Sequence, residues 1–158
     1  MGFVHRDIKT DNIVLGSNFE PKIIDFGLSN QFTQFLQSGL VQGNCGTEGY
    51  EAPEMLNGIF QFDGIKVDIF AAAVVLFQIL TATRPFDRAK QEDEHYSLIM
   101  DRQYDAYWQK IGERSIRDVS DLSDSVKSLL MRMLHFDQNQ RPSTQAILNH
   151  EWISSANT

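Results

Sequence analysis

The sequence predicts a mostly helical α+β unit, and three observations carry that prediction. Val67 to Thr81 is apolar nearly all round, as a helix buried inside a core should be. Leu122, Val126, Leu129, Leu130, Met133 and Leu134 recur at the spacing of one helical face. Ile13-Val14-Leu15 and Lys22-Ile23-Ile24 are β-prone runs on either side of Gly16-Ser17-Asn18, which predicts a small hairpin near the start.

Taken in order, the hairpin is followed by Gly27 to Tyr50, a polar, glycine-rich and aperiodic stretch. It reads as one long loop, and so long a loop in a compact unit is usually functional. Beyond Pro53 the pattern turns helical, with the central helix over 67–81. Glu92 to Gln109 mixes acids with Tyr96, Leu98, Ile99, Tyr107 and Trp108 and reads as partly helical. Asp121 or Ser123 can cap the helix that follows, and Ser143 can cap a last short one carrying Ala146, Ile147 and Leu148. No repeat, low-complexity tract or linker divides residues 1–158, so they read as one unit with no second domain.

The 158 residues are 42% hydrophobic and carry a formal charge of −7, with a pI near 5.0. An acidic chain is poorly suited to nucleic acid or an anionic membrane surface and mildly attracts basic peptides. The single Cys45 allows no internal disulfide. The start lacks a signal peptide or myristoylation pattern. Ile69 to Leu80, interrupted by Gln78, reads as too short to span a bilayer. The expectation is an intracellular protein, cytoplasmic or nuclear, with neither nucleic-acid nor membrane partner, and no oligomer is implied. His5, His95, His135 and His150 are dispersed, without zinc-ligand spacing.

The chemistry lies in three motifs. His5-Arg6-Asp7-Ile8-Lys9-Thr10-Asp11-Asn12 precedes the hairpin. Asp25-Phe26-Gly27 follows it, and Gly46-Thr47-Glu48-Gly49-Tyr50-Glu51-Ala52-Pro53-Glu54 comes after the loop. Singly each has a bland reading, with Asp7 a turn residue, Lys9 a solvated charge and His5 a core histidine. Their order and spacing exclude coincidence. From Val4 to Trp152 the chain resembles the eukaryotic Ser/Thr protein kinases. Asp68-Ile69-Phe70, Thr83-Arg84-Pro85-Phe86 and His150-Glu151-Trp152-Ile153 resemble the calcium/calmodulin-kinase-like branch.

The resemblance implies the C-terminal lobe of a kinase, a partial kinase domain over residues 1–158 with the hairpin at its catalytic loop and the N-terminal lobe absent. It also implies a role for each residue. Asp7 would orient the substrate hydroxyl, Lys9 would meet the transferring phosphate, and Thr47 would bond to both. Asn12 and Asp25 would ligate Mg2+, and Val14 would floor the adenine pocket of ATP. Gly27 would free the backbone of the magnesium loop. Glu54 and Arg141 would form a buried ion pair, Asp68 would hold the catalytic-loop backbone, and His5 and Phe26 would join a stack between lobes. The partner would be a protein carrying a Ser/Thr acceptor. Asp11 favours basic residues near it, although Gln78 is neutral where relatives are often acidic.

Two departures stand out. Arg6 implies a phosphorylated activation-loop residue, yet Gly43 stands where relatives place it. Ser38 and Thr33 are the nearby hydroxyls, and Ser38 would substitute, or activation needs no phosphate. Phe70 and Ala73 replace the usual Trp and Gly of the central helix. No Gly-x-Gly-x-x-Gly and no Val-Ala-Ile-Lys equivalent is found in these residues, so weak or no Mg-ATP binding by the chain alone is expected. The alternative function is a non-catalytic interaction module, or a dominant-negative lobe without turnover.

Overall fold

Asp63 fixes where the central helix begins. Its carboxylate accepts hydrogen bonds from the backbone N–H groups of Ile65 (2.9 Å) and Lys66 (3.4 Å), two of the donors a helix start leaves unpaired. Helix α2 then runs Gly64–Thr81 and stops at Ala82, which adopts a left-handed conformation (φ 56°). It begins three residues earlier than periodicity indicates, because the cap lies outside the apolar run. By length and composition α2 could cross a membrane. In this fold Phe70, Ala73, Val74 and Phe77 are fully covered by the chain itself, which accounts for the composition.

The computed structural model describes residues 2–32, 40–42, 45–59 and 61–155. Within them, three two-stranded antiparallel sheets frame the N-terminal half. Strand β1 (Gly2–Val4) pairs with β4 (Asn30–Phe32). The predicted hairpin pairs β2 (Ile13–Leu15) with β3 (Pro21–Ile23), and β5 (Leu40–Gln42) pairs with β6 (Gln61–Asp63). The stretch read as one loop over 27–50 therefore contains two strands, and the single-loop reading is corrected. Their partners, β1 and β6, lie outside the stretch, so nothing local announces them.

Helix α1 (Pro53–Leu56) carries proline in its first turn, where a missing N–H costs nothing. The region read as partly helical resolves into α3 (Tyr96–Met100) and α4 (Tyr104–Arg114). Asp93 organises their approach, its two oxygens accepting from the N–H groups of Asp87, Arg88, His95 and Tyr96. Helix α5 (Asp124–Met133) takes Ser123, not Asp121, as its cap. Ser143 caps α6 (Thr144–Leu148) as anticipated, and α7 (Glu151–Ser155) adds an unanticipated final helix.

The core is built on α2. Phe70, Phe86 and Tyr96 form one aromatic group, and Phe77, Tyr107 and Trp108 another. The buried phenols donate to backbone oxygens, Tyr96 to Leu134 (3.2 Å) and Tyr107 to Pro85 (3.2 Å). Burial pushes both above the usual tyrosine range. Phe86 and the Arg141 guanidinium fill the space beside Phe70, their centres 5.8 Å and 4.8 Å from its ring.

Candidate active site

The segment after β1 is pinned from below by α2. Asp68 accepts from the backbone N–H of His5 (2.6 Å) and Arg6 (2.8 Å). Burial raises its carboxyl above the usual range against the pull of those two donors. Arg6 is held at φ 66°, a region costly for a residue with Cβ, so the clamp maintains a turn the chain would not adopt freely. His5 is buried, its Nε2 within 3.0 Å of the Ile24 oxygen and its ring edge-on to Phe26 at 4.9 Å.

That turn presents Asp7. Thr47 Oγ1 donates to Asp7 Oδ1 (2.7 Å), and Lys9 Nζ lies 3.0 Å from Asp7 Oδ2 while donating to Thr47 Oγ1 (2.7 Å). Three side chains thus close a triangle spanning the first and third motifs. Asn12 Nδ2 bonds to the Asp7 backbone oxygen (2.9 Å) and to Oδ2 (3.1 Å). Burial alone would raise the Asp7 carboxyl, but the hydrogen bonds from Thr47, Lys9 and Asn12 and the Lys9 charge together hold it below its ordinary value. Lys9 is pushed up, first by its bond to Asp7 and also by the charges of Asp7, Asp11 and Asp25.

Asn12 spends its amide nitrogen on Asp7, and its side-chain oxygen has no hydrogen-bond partner among the described residues. Asn12 is buried, whereas Asp25 is exposed in a left-handed turn (φ 61°), with Oδ1 accepting from Gly27 N–H (3.2 Å) and its second oxygen to spare. Gly27 serves this turn as its backbone donor, and its own φ is not in the left-handed region. The turn and hairpin are joined by Ile24 N–H donating to the Asn12 backbone oxygen (2.9 Å). Two hard oxygens suit Mg2+, which keeps waters and substrate phosphates as its other ligands. No group of three or more His, Cys, Asp or Glu among the described residues could hold a metal unaided. Val14, on β2, is exposed.

Arg6 sends its guanidinium to backbone oxygens, Leu28 at 2.7 Å and Gln42 at 3.1 Å. Ser38, Thr33 and Gly43 lie outside the described residues. Glu54 and Arg141 meet fork to fork, with two bonds of 2.7 Å and side chains 3% and 0% exposed. Sequence reasoning gave Tyr50 no role, yet its hydroxyl links Thr10 to Gln78 at 3.0 Å on each side. Its place in the third motif was the only available signal.

The chain matches the protein kinase domain family over residues 1–153. It is 37% identical over 152 residues to the probable serine/threonine-protein kinase MARK-A of Dictyostelium discoideum, covering 96% of this chain and 13% of that protein. It is 34% identical over 154 residues to CBL-interacting serine/threonine-protein kinase 15 of Arabidopsis thaliana, covering 96% of this chain and 33% of that protein. The chain therefore spans a third or less of the length of these curated relatives.

Proposed function

The chain belongs to the eukaryotic Ser/Thr protein kinase family, and from that premise we propose that it is the substrate-facing C-terminal lobe of a kinase that phosphorylates protein Ser/Thr. The observation that carries the proposal is the Asp7–Lys9–Thr47 triangle. A carboxylate held ionised at neutral pH can accept a hydrogen bond from an alcohol and orient it for attack. Lys9, charged and turned toward the same point, can neutralise a phosphoryl group being transferred there. Thr47 ties the two together through its hydroxyl.

Asn12 and Asp25 are the residues that would hold Mg2+, and Val14 would meet the adenine of ATP. The nucleotide supplies the phosphoryl group, and the metal offsets its charge. The assignment to the calcium/calmodulin-kinase-like branch and an intracellular location stay within this proposal. So does a basic substrate residue facing the exposed Asp11.

The test is transfer of label from γ-labelled ATP to a generic Ser/Thr protein by native product immunoprecipitated from its source, with an Asp7→Asn counterpart expressed there. Label on Ser or Thr, lost in the variant, is expected. Equal labelling by wild type and Asp7→Asn would overturn the assignment. Absence of transfer by both, with a retained binding partner, would favour the non-catalytic reading.

A further inference from the structure

Beside the triangle lies a shallow recess of about 250 Å³, lined by Thr10, Gln78, Ala82, Thr83 and Arg84. Its polar groups are biased toward one sign. Tyr50 donates to Gln78 Oε1 (3.0 Å), so its oxygen must accept from the Thr10 hydroxyl 3.0 Å away. The string consumes the Thr10 proton and the Gln78 oxygen, and it leaves both protons of the Gln78 amide open to the recess. Thr83 Oγ1 accepts from Arg114 Nε (3.3 Å), which leaves its own proton to donate. Arg84 is exposed and has no acceptor among the described residues. It lies across Gly49, where a Cβ would stand 3.2 Å from its Nη1, so a larger residue would displace it.

Three donor groups, one of them a cation, thus face a recess whose lining contains no carboxylate. The nearby Glu48 is already engaged by Arg88 (3.0 Å), and Asp11, next to Thr10, does not line the recess. We propose that this recess is a specificity subsite for an anionic side chain of the protein substrate, a carboxylate or a phosphate, flanking the acceptor hydroxyl. The inference rests on the substrate-facing reading above. Thr10 lies three residues from Asp7, and Tyr50 N–H bonds to the Thr47 oxygen (3.1 Å), so an extended peptide with its hydroxyl at Asp7 brings a neighbouring side chain over the recess. Paired with Asp11, the subsite makes the substrate dipolar, basic at one position and acidic at another.

Binding of fluorescein-labelled serine peptides to the 158-residue chain, followed by anisotropy, tests this without requiring turnover. One set carries Glu, phosphoserine, Gln or Arg at each flanking position in turn. At one position Glu or phosphoserine should bind about fivefold tighter than Gln, as one charge-assisted contact at a surface allows. The gain should vanish in Arg84→Ala and turn into a preference for Arg in Arg84→Glu and Gln78→Glu. A gain with both acids assigns the subsite to any anion, and a gain with phosphoserine alone assigns it to a substrate already phosphorylated. Peptides that bind without favouring an acid at any position, or that keep the gain in Arg84→Ala, overturn the subsite alone. Failure of every peptide to bind overturns the substrate-facing reading and the subsite with it.

Discussion

Replacing Arg141 by Met should be among the most destabilising single changes available to this fold. The guanidinium is fully buried and makes two 2.7 Å bonds to Glu54, one to the His135 oxygen (2.8 Å) and one to the Lys66 oxygen (3.0 Å). Its removal strands the Glu54 carboxylate away from water, which costs about 3–5 kcal/mol. In Glu54→Met/Arg141→Met no charge is stranded. The loss left over is two carbonyl acceptors at roughly 1 kcal/mol each, so the double variant should lose only about 2 kcal/mol. Urea unfolding followed by circular dichroism measures both, and a midpoint change without a change of slope confirms that the fold is retained. In thermal terms the single variant should melt roughly 10 °C lower. A double variant that loses as much as the sum of the two singles would sink the argument, because the pair would then not act as a unit.

Three further outcomes follow from named contacts. Asp68→Ala leaves the His5 and Arg6 amides without their acceptor, at about 2–4 kcal/mol in all, and Asp68→Asn, which keeps one oxygen, should lose about half. Hydrogen exchange should quicken at those two amides specifically, and unchanged protection there would count against the clamp. Ala82→Gly should stabilise the chain by about 1 kcal/mol in urea unfolding, since the αL cap at φ 56° penalises a Cβ; a loss of stability would refute this. Asp7 is held below its ordinary 3.8, so its contribution to stability is present above that value and disappears as pH falls through the folded one. Asp7→Asn, which cannot titrate, should therefore lose less stability than wild type on acidification from neutral pH, and parallel stability profiles would contradict the shift.

The parts of the fold legible in the sequence were those with a local signature. The apolar run of α2, the face of α5 and the turn between β2 and β3 each carry their cause within a few residues. Strands β1, β4, β5 and β6 do not, because each is three residues long and gains its identity from a partner distant in the chain. The site divides similarly. Asp7, Lys9 and Asn12 share one motif, and Thr47 could be attached to them only by resemblance, since nothing in the spacing of 7 and 47 forces their side chains within 2.7 Å. Tyr50 and Arg84 were passed over because their importance is relational. One matters for the two groups it joins and the other for having no acceptor among the described residues.

The two acids assigned to chemistry owe their positions to backbone that resists folding. Arg6, directly before Asp7, and Asp25 itself both occupy the left-handed region, at φ 66° and 61°, which costs roughly 1–2 kcal/mol each. Neither conformation would survive on local preference, so each is over-determined by tertiary bonds. Asp68 holds Arg6 from α2, and the Asn12 backbone oxygen holds Ile24, the residue before Asp25. Arg6 then closes the circuit, its guanidinium bridging Leu28 beyond the Asp25 turn and Gln42 on β5. The strand β5 is itself anchored through buried Val41 to Phe62 of β6, immediately before the cap of α2. The first two motifs and β5 are therefore coupled through one helix end, and a change at Asp63 or Asp68 should be felt at both acids although neither residue touches them.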